Sequence, residues 1–275
     1  MGLFGLTISA VSRRWNSSAA LLAMPFIWVA IEYLRSNLSF LALPWALLGH
    51  SQYQYSALIQ IASFTGVYGI SFLMAFANAA LAATILSSLS LVERCRPTGV
   101  YLPSRLAAFS MLLAAAAGTG LAFLYGHMTL SHPISGSGIK TSVLQGNINQ
   151  KMKADPKKHA TFIMQKYTDL TRQALEDHPD LVVWPEAATP GFVLKNMSLH
   201  QEITSLIKES KTHFIIGSSE YPKFVKPSSS NSKGIGNTAL FFSPEGKVVG
   251  QYLKIHLVPF GEYVPYEGTI PWPGF

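Results

Sequence analysis

Leu181-Val182-Val183-Trp184-Pro185-Glu186 is a short apolar run closed by a proline and followed at once by an acid. Four apolar residues bounded by polar turns read as a buried strand. Pro185 cannot donate to a ladder and biases Trp184 toward extended backbone, so the strand ends there. Glu186 then stands at a strand edge beside an indole, partly desolvated and suited to accept a proton near neutral pH. A solvated loop acid explains this motif equally well.

The flanking sequence alternates between strands and helices. Residues 139–145 form a β-type run. Residues 157–176 have helical spacing at Phe162, Tyr167, Leu170 and Leu175 and end in the polar turn Asp177-His178-Pro179-Asp180. Residues 199–211 read as helix, 213–217 as strand, and 227–236 as a surface loop by composition. Residues 237–243 and 247–254 form a strand pair joined by Pro244-Glu245-Gly246. Such alternation implies a layered α/β domain over residues 139–275.

Two further segments of this domain carry chemical character. In Tyr252-Leu253-Lys254-Ile255-His256-Leu257 a lysine closes a strand and enters an apolar stretch. A fixed ammonium there suits stabilisation of an oxyanion, and a strand-end lysine reaching solvent is the plainer alternative. His256 reads as a packing histidine. In Val258-Pro259-Phe260-Gly261-Glu262-Tyr263-Val264-Pro265 one acid sits among apolar neighbours. A buried carboxylate needs a partner, and Lys254 is the candidate.

The first half of the chain is of another kind. Of the 275 residues, 49% are hydrophobic and 13% charged, against about a quarter charged in soluble domains. Residues 1–139 hold only six Lys/Arg and two Asp/Glu, and no charged residue lies between Ser36 and Val92. Residues 1–130 therefore read as a membrane region, with spans over 18–34, 67–91 and 106–125 and a re-entrant or interfacial excursion over 38–65. The excursion is broken by Pro44, and Trp45, Tyr53 and Tyr55 belong at headgroup level. Arg13 and Arg14 precede the first span, while Arg94, Arg96 and Arg105 fill the loop before the third. The positive-inside rule puts both groups in the cytoplasm and everything after the third span outside it. Glu32 and Arg35, at i and i+3 near the end of the first span, can pair along one helix face. As ionisable residues at membrane depth they are also candidates for substrate contact.

Several function classes are disfavoured. The net charge of +7 is spread as +4 and +3 over the two halves, without the basic cluster of a nucleic-acid binder. The single cysteine, Cys95, lies in the charged loop Glu93-Arg94-Cys95-Arg96 and excludes an internal disulfide or a Cys-based zinc site. There is no His-Glu-x-x-His and no Walker lysine, and Gly136-Ser137-Gly138 reads as a linker. No metal or other cofactor is implied.

Gln145-Gly146-Asn147-Ile148, Trp184-Pro185-Glu186-Ala187 and the block Lys254–Pro265 together resemble, in order and spacing, the signature of the apolipoprotein N-acyltransferases. Upstream, Pro44-Trp45 followed by Gly49-His50-Ser51-Gln52 is similar to that family's membrane half. The resemblance implies a nitrilase-like αββα sandwich, here C-terminally incomplete, on a multi-span helical membrane base. It implies a Glu-Lys-Cys triad in which Glu186 is the base, Lys254 the oxyanion stabiliser and Glu262 the supporting acid. It further implies transfer of a fatty acyl chain from a phospholipid, through a cysteine thioester, to the N-terminal diacylglyceryl-cysteine of a bacterial lipoprotein. The partners so implied are a phospholipid donor, a diacylated lipoprotein and the bilayer. A monomer in the bacterial inner membrane is expected, its catalytic domain on the periplasmic side.

The family's cysteine lies beyond the lysine block, and no cysteine follows Cys95 in these residues. Gly2–Val11 is likewise an apolar run too short to span that leads straight into Arg13-Arg14, so the sequence reads as truncated at both ends. Two alternatives stay open: a membrane-tethered amidase or nitrilase, and an inactive remnant of a split gene. Expressed in a strain depleted of its own acyltransferase, the 275-residue chain is expected to leave lipoproteins diacylated. Mass spectrometry of lipoprotein N-termini checks this, and restored triacylation overturns it.

Overall fold

The computed structural model describes residues 2–38, 42–89, 103–132, 136–149, 151–152, 155–156, 158–220, 236–266 and 269–270. The chain forms two compact units, Met1–Ser135 and Gly136–Phe275.

The first unit is helical: α1 (Gly2–Arg14), α2 (Ser17–Asn37), a 3-10 turn (Leu48–Gln52), α3 (Ser56–Ile59), α4 (Ala62–Leu89) and α5 (Arg105–Ser131). Asn16 caps α2 by accepting from the Ala19 N–H, and Ser104 caps α5 through the Ala107 N–H. Three helices, Ser17–Asn37, Ala62–Ser88 and Arg105–Ser131, are long and apolar enough to cross a membrane. Each extends beyond the apolar run that marks it in the sequence. A short helical turn, residues 62–65, precedes the expected start at 67, with Thr65 donating its hydroxyl back to the Ile61 carbonyl. A break follows at Gly66, whose φ of 62° lies in the left-handed region open to glycine. Arg94, Cys95 and Arg96 lie outside the described residues.

α4 and α5 meet through small side chains. Ala79, Ala80 and Ala83 are buried against Ala108, Met111 and Ala115, which permits close backbone approach. The faces turned away, with Leu81, Ile85, Leu106, Phe109 and Leu113, are apolar and exposed. Helices apolar all round suit a hydrocarbon surrounding.

Glu32 and Arg35 do not pair with each other, contrary to the helix-face expectation. Each is drawn instead to backbone groups of the excursion between α2 and α4. Glu32, buried to 4% exposure, accepts from the Leu48 N–H at 2.6 Å and from the Trp28 indole at 3.0 Å. Arg35 donates to the carbonyls of Trp45 and Ala46 at 2.9 and 3.4 Å. The physical reason is accounting: the start of a 3-10 turn has orphan N–H groups, Leu47 gives no side-chain cap there, and unpaired backbone groups are costly away from water. Ser71 supplies the next acceptor, to the Gly49 N–H.

Glycines let this excursion sit down. A Cβ on Gly49 would lie 2.6 Å from the Val67 carbonyl oxygen, and one on Gly126 only 1.7 Å from that of Ala57. α5 therefore packs backbone to backbone against α3.

The second unit is a five-stranded sheet in the order β1-β2-β3-β4-β5: Thr141–Val143, Leu181–Trp184, His213–Glu220, Gly236–Phe242 and Val248–Leu253. β1, β2 and β3 are parallel, and β4 and β5 add as an antiparallel hairpin. Its turn is closed by Gly246, at φ 75°. Two helices, α6 (Ala160–Leu175) and α7 (Met197–Ser210), cover one face. Val182, Trp184, Phe214, Ile216, Leu240 and Phe242 point into that layer with Tyr167, Ile203 and Ile207. An α layer on a β layer is thus present. β3 runs three residues past the expected 217, because Ser218, Ser219 and Glu220 pair with Thr238, Asn237 and Gly236. Residues 227–235 of the expected surface loop lie outside the described residues.

The tight seat of α5 gives a controlled test. Gly126→Ala should lower the stability of the membrane unit by about 1–3 kcal/mol through overpacking. Gly120→Ala, where a Cβ meets nothing within 4 Å, should be neutral or stabilising by up to about 1 kcal/mol from helix propensity. Thermal melts in detergent compare the two.

Candidate active site

Strand directions gather the chemically distinctive residues at one end of the sheet. β2 and β3 are parallel, β4 runs against β3, and β5 runs against β4. The ends of β2 and β5 and the start of β4 therefore share an edge. Just past β5, the Lys254 N–H donates to the Asn237 carbonyl at 2.8 Å.

Glu186 is delivered there by a buried anchor and a close crossing. Trp184 stacks on Tyr167 with ring centroids 4.9 Å apart and donates its indole N–H to Thr171 Oγ1 at 3.1 Å. Tyr167 in turn leaves no room for a side chain at Gly146, where a Cβ would lie 2.8 Å from its ring. Beyond Trp184 the chain passes over β3 at Gly217. A Cβ on Gly217 would meet the Pro185 carbonyl oxygen at 2.1 Å and Glu186 Cα at 2.7 Å. The Ala188 N–H donates to the Gly217 carbonyl at 2.9 Å and fixes the crossing. Ala187 takes φ 47° between them, a conformation uncommon outside glycine.

Glu262 comes from a tight turn after β5. Its N–H donates to the Val258 carbonyl at 2.9 Å, and its Oε2 accepts from the Val258 N–H at 2.7 Å. The Phe260 N–H closes the turn onto the Tyr263 carbonyl at 2.7 Å.

The side chains then meet. Lys254 Nζ donates to Glu186 Oε1 at 2.8 Å and to Glu262 Oε1 at 2.9 Å. Asn237 Nδ2 donates to Glu262 Oε1 at 3.1 Å and also to Glu186 Oε1. All three acid and base residues singled out in the sequence are thus in one cluster, with two carboxylates on one ammonium. Asn237 is the member that the sequence reading missed. The available signal was strand alternation, which puts it on the face opposite Thr238 and Leu240.

Burial would raise the Glu262 carboxyl, but the Val258 N–H, Lys254 and Asn237 outweigh it and hold the group below its usual 4.5. The hydrogen bonds to Glu186 and Glu262 raise the Lys254 ammonium above its usual 10.5. Of the two readings open for Glu186, partly desolvated or solvated, the structure has the solvated one, its side chain being 61% exposed. Trp184 turns into the core and Pro185 sends the acid outward, so the indole does not cover it. His256 is exposed rather than packed.

Beside Glu186, a cavity of about 510 Å³ is lined by Ala187, Ala188, Pro190, Phe192, Ile163 and Ser219, among others. Its loop wall is held by Glu220, 1% exposed, which accepts from the Leu194 N–H at 3.2 Å and from Ser218 Oγ at 2.9 Å. Among the described residues, no group of three or more His, Cys, Asp or Glu is placed to hold a metal ion.

Residues 1–80 match the family model of the apolipoprotein N-acyltransferase N-terminal domain, and residues 140–269 that of the carbon-nitrogen hydrolases. The apolipoprotein N-acyltransferase of Geobacter metallireducens is 36% identical over 275 residues, covering 99% of this chain and 49% of the relative. That of Vibrio cholerae is 30% identical over 271 residues, covering 96% and 47%. The chain spans about half the length of the curated relatives it matches. A solved carbon-nitrogen hydrolase from Helicobacter pylori G27 is 24% identical, covering 46% of this chain and 42% of that one with a TM-score of 0.32.

The charge pattern fixes a pH dependence. Glu262, held low, contributes stability that is complete above 4.5 and is lost as pH falls through its lowered value. Lys254, held high, contributes stability that is complete below 10.5 and is lost as pH rises through its raised value. Glu262→Gln, a mimic of the protonated acid, should melt lower than the parent at pH 7, and the gap should close towards pH 3. Parallel acid limbs in thermal melts would contradict this.

Proposed function

Because the chain belongs to the apolipoprotein N-acyltransferase family, we propose that it carries the acid–base half of a lipoprotein N-acylation site. The supporting observation is the convergence of Glu186, Lys254 and Glu262 in the region that matches a carbon-nitrogen hydrolase. In this reading Glu186 takes the proton of a cysteine thiol. The thiolate attacks the ester carbonyl of a phospholipid, a C–S bond forms, the ester C–O bond breaks, and the lysolipid leaves with the proton that Glu186 held. The α-amino group of a diacylglyceryl-cysteine then attacks the thioester. A C–N bond forms, the C–S bond breaks, and the amine proton passes to Glu186. Lys254 stabilises the oxyanion of both tetrahedral intermediates, and Glu262 fixes Lys254. The cavity beside Glu186, mainly apolar with Lys195 and Asn196 in its wall, suits the acyl chain.

The same reading assigns residues 1–130 to the membrane base and 139–275 to the hydrolase domain. Arg13, Arg14 and Arg105 lie on the cytoplasmic side of a bacterial inner membrane, and the catalytic domain is periplasmic. The protein acts as a monomer on lipid-anchored partners and needs neither metal nor nucleic acid. The sulfur it requires is not among residues 136–275, which contain no cysteine.

A chimera supplies that sulfur. The stretch of the Geobacter metallireducens relative that this chain matches is exchanged for residues 1–275, and the product is expressed in an acyltransferase-depleted strain. Restored N-acylation of lipoproteins is expected. Glu186→Gln or Lys254→Ala should lower it by roughly 10²- to 10⁴-fold. A chimera that accumulates in the membrane yet leaves lipoproteins diacylated would sink the proposal.

A further inference from the structure

We propose that Asn237 is a positioning residue of this site, one that pins Glu186 Oε1 and leaves Oε2 as the oxygen that takes the proton. The inference rests on the acyl-transfer reading for its chemistry, and on geometry alone for the pinning.

Asn237 reaches the cluster twice. Its carbonyl accepts the Lys254 N–H at 2.8 Å, so the lysine backbone is tied to the same residue as the acids. Its side-chain Nδ2 donates to Glu262 Oε1 at 3.1 Å and to Glu186 Oε1. The amide orientation is set by its neighbours: two carboxylate oxygens can only accept, and Oδ1 turned toward them would repel both. Lys254 Nζ binds the same two Oε1 atoms at 2.8 and 2.9 Å. Each Oε1 therefore carries two donors. Glu262 Oε2 is taken by the Val258 N–H. Glu186 Oε2 is the one carboxylate oxygen of the four without a hydrogen bond among the described residues, and Glu186 is exposed.

The strand positions make this arrangement rigid. Asn237 is paired with Ser219 and Ala239 with Gly217. Alternation puts all four on the sheet face away from the helices, where Pro185 and Glu186 cross over Gly217. The amide thus holds Glu186 from a strand that is paired on both sides. A single ammonium on two acids could pivot between them; a second, neutral donor on the same two atoms removes that freedom without adding charge. With Oε1 doubly occupied, proton transfer falls to Oε2.

The test has an arm that needs no turnover. In the 275-residue chain in detergent, carboxyl-carbon NMR follows the glutamate titrations, with Glu262→Gln assigning that signal. Asn237→Ala should move the Glu262 titration to higher pH, and Asn237→Asp should move it further. An unchanged titration overturns the pinning whether or not the chimera is active. In the active chimera, Asn237→Ala should lower kcat on the order of ten- to a hundred-fold, part of what a positioned base contributes. KM should stay within about twofold, and the acid limb of the pH–rate profile should move to higher pH. A raised KM with kcat and the acid limb unchanged overturns the positioning role. An inactive parent chimera counts against the acyl-transfer reading alone, since the titration still decides for Asn237.

Discussion

Lys254 Nζ sits between two carboxylate oxygens, and the arrangement of the second unit follows from keeping it there. Two carboxylates on one nitrogen repel each other; unit charges about 4 Å apart at an effective dielectric of about 20 interact by on the order of 4 kcal/mol. One ammonium offsets that repulsion, and a neutral amide adds donors without altering the balance. Exposed ion pairs contribute little to stability, and the side chains of this cluster are 24% to 61% open to solvent. Beyond the modest, pH-dependent contribution of Glu262 and Lys254, the cluster therefore adds little to the fold. The fold holds the cluster, through Trp184 stacked in the core, the chain crossing at Gly217, and the hairpin that returns β5 beside Asn237.

A common device recurs in both units. Glu32 receives the Leu48 N–H, Glu220 the Leu194 N–H, and Glu262 the Val258 N–H. Each is a glutamate distant in sequence or across a turn that satisfies a backbone donor where no local Ser, Asn or Asp does so. Such bonds satisfy backbone donors that are costly to leave unpaired, and they fix loops without a helix cap. In the first unit the device replaces the expected ion pair. Glu32 and Arg35 together hold the segment around Trp45, Ala46 and Leu48 by its N–H and C=O groups, which leaves Trp45 exposed at 73%.

The elements that could be read from the residues alone share a cause: their signal is local. The three long apolar helices follow from composition, β2 from four apolar residues before Pro185, and the hairpin from Pro244-Glu245-Gly246. Glu186, Lys254 and Glu262 stood out because an acid or lysine interrupts an apolar stretch. What escaped depends on register or on distant chain. The last three residues of β3 are small or polar, and their strand character comes only from pairing with β4. Gly217 looks like any strand glycine until Pro185 crosses it. Asn237 is an ordinary strand-opening amide until two acids from other segments arrive beside it. For Glu186, adjacency to Trp184 in sequence leaves a partly desolvated acid and a solvated one equally open, and Pro185 decides for exposure by turning the two side chains apart.

That exposure bears on how the acid could serve as a base. One route to a competent carboxylate is desolvation, which destabilises its charged form. Within these 275 residues the Glu186 side chain is 61% exposed, and its two donors fix where it points. A second route is orientation, in which a carboxylate is held so that one oxygen faces the proton it must accept. A double hold on Oε1 from Lys254 and Asn237 is what this route requires, and it leaves the lysine charge available on the same side. The two routes impose different demands on sequence. Desolvation needs apolar neighbours, which a pattern search can see; orientation needs donors at fixed distance, which only the closed sheet supplies.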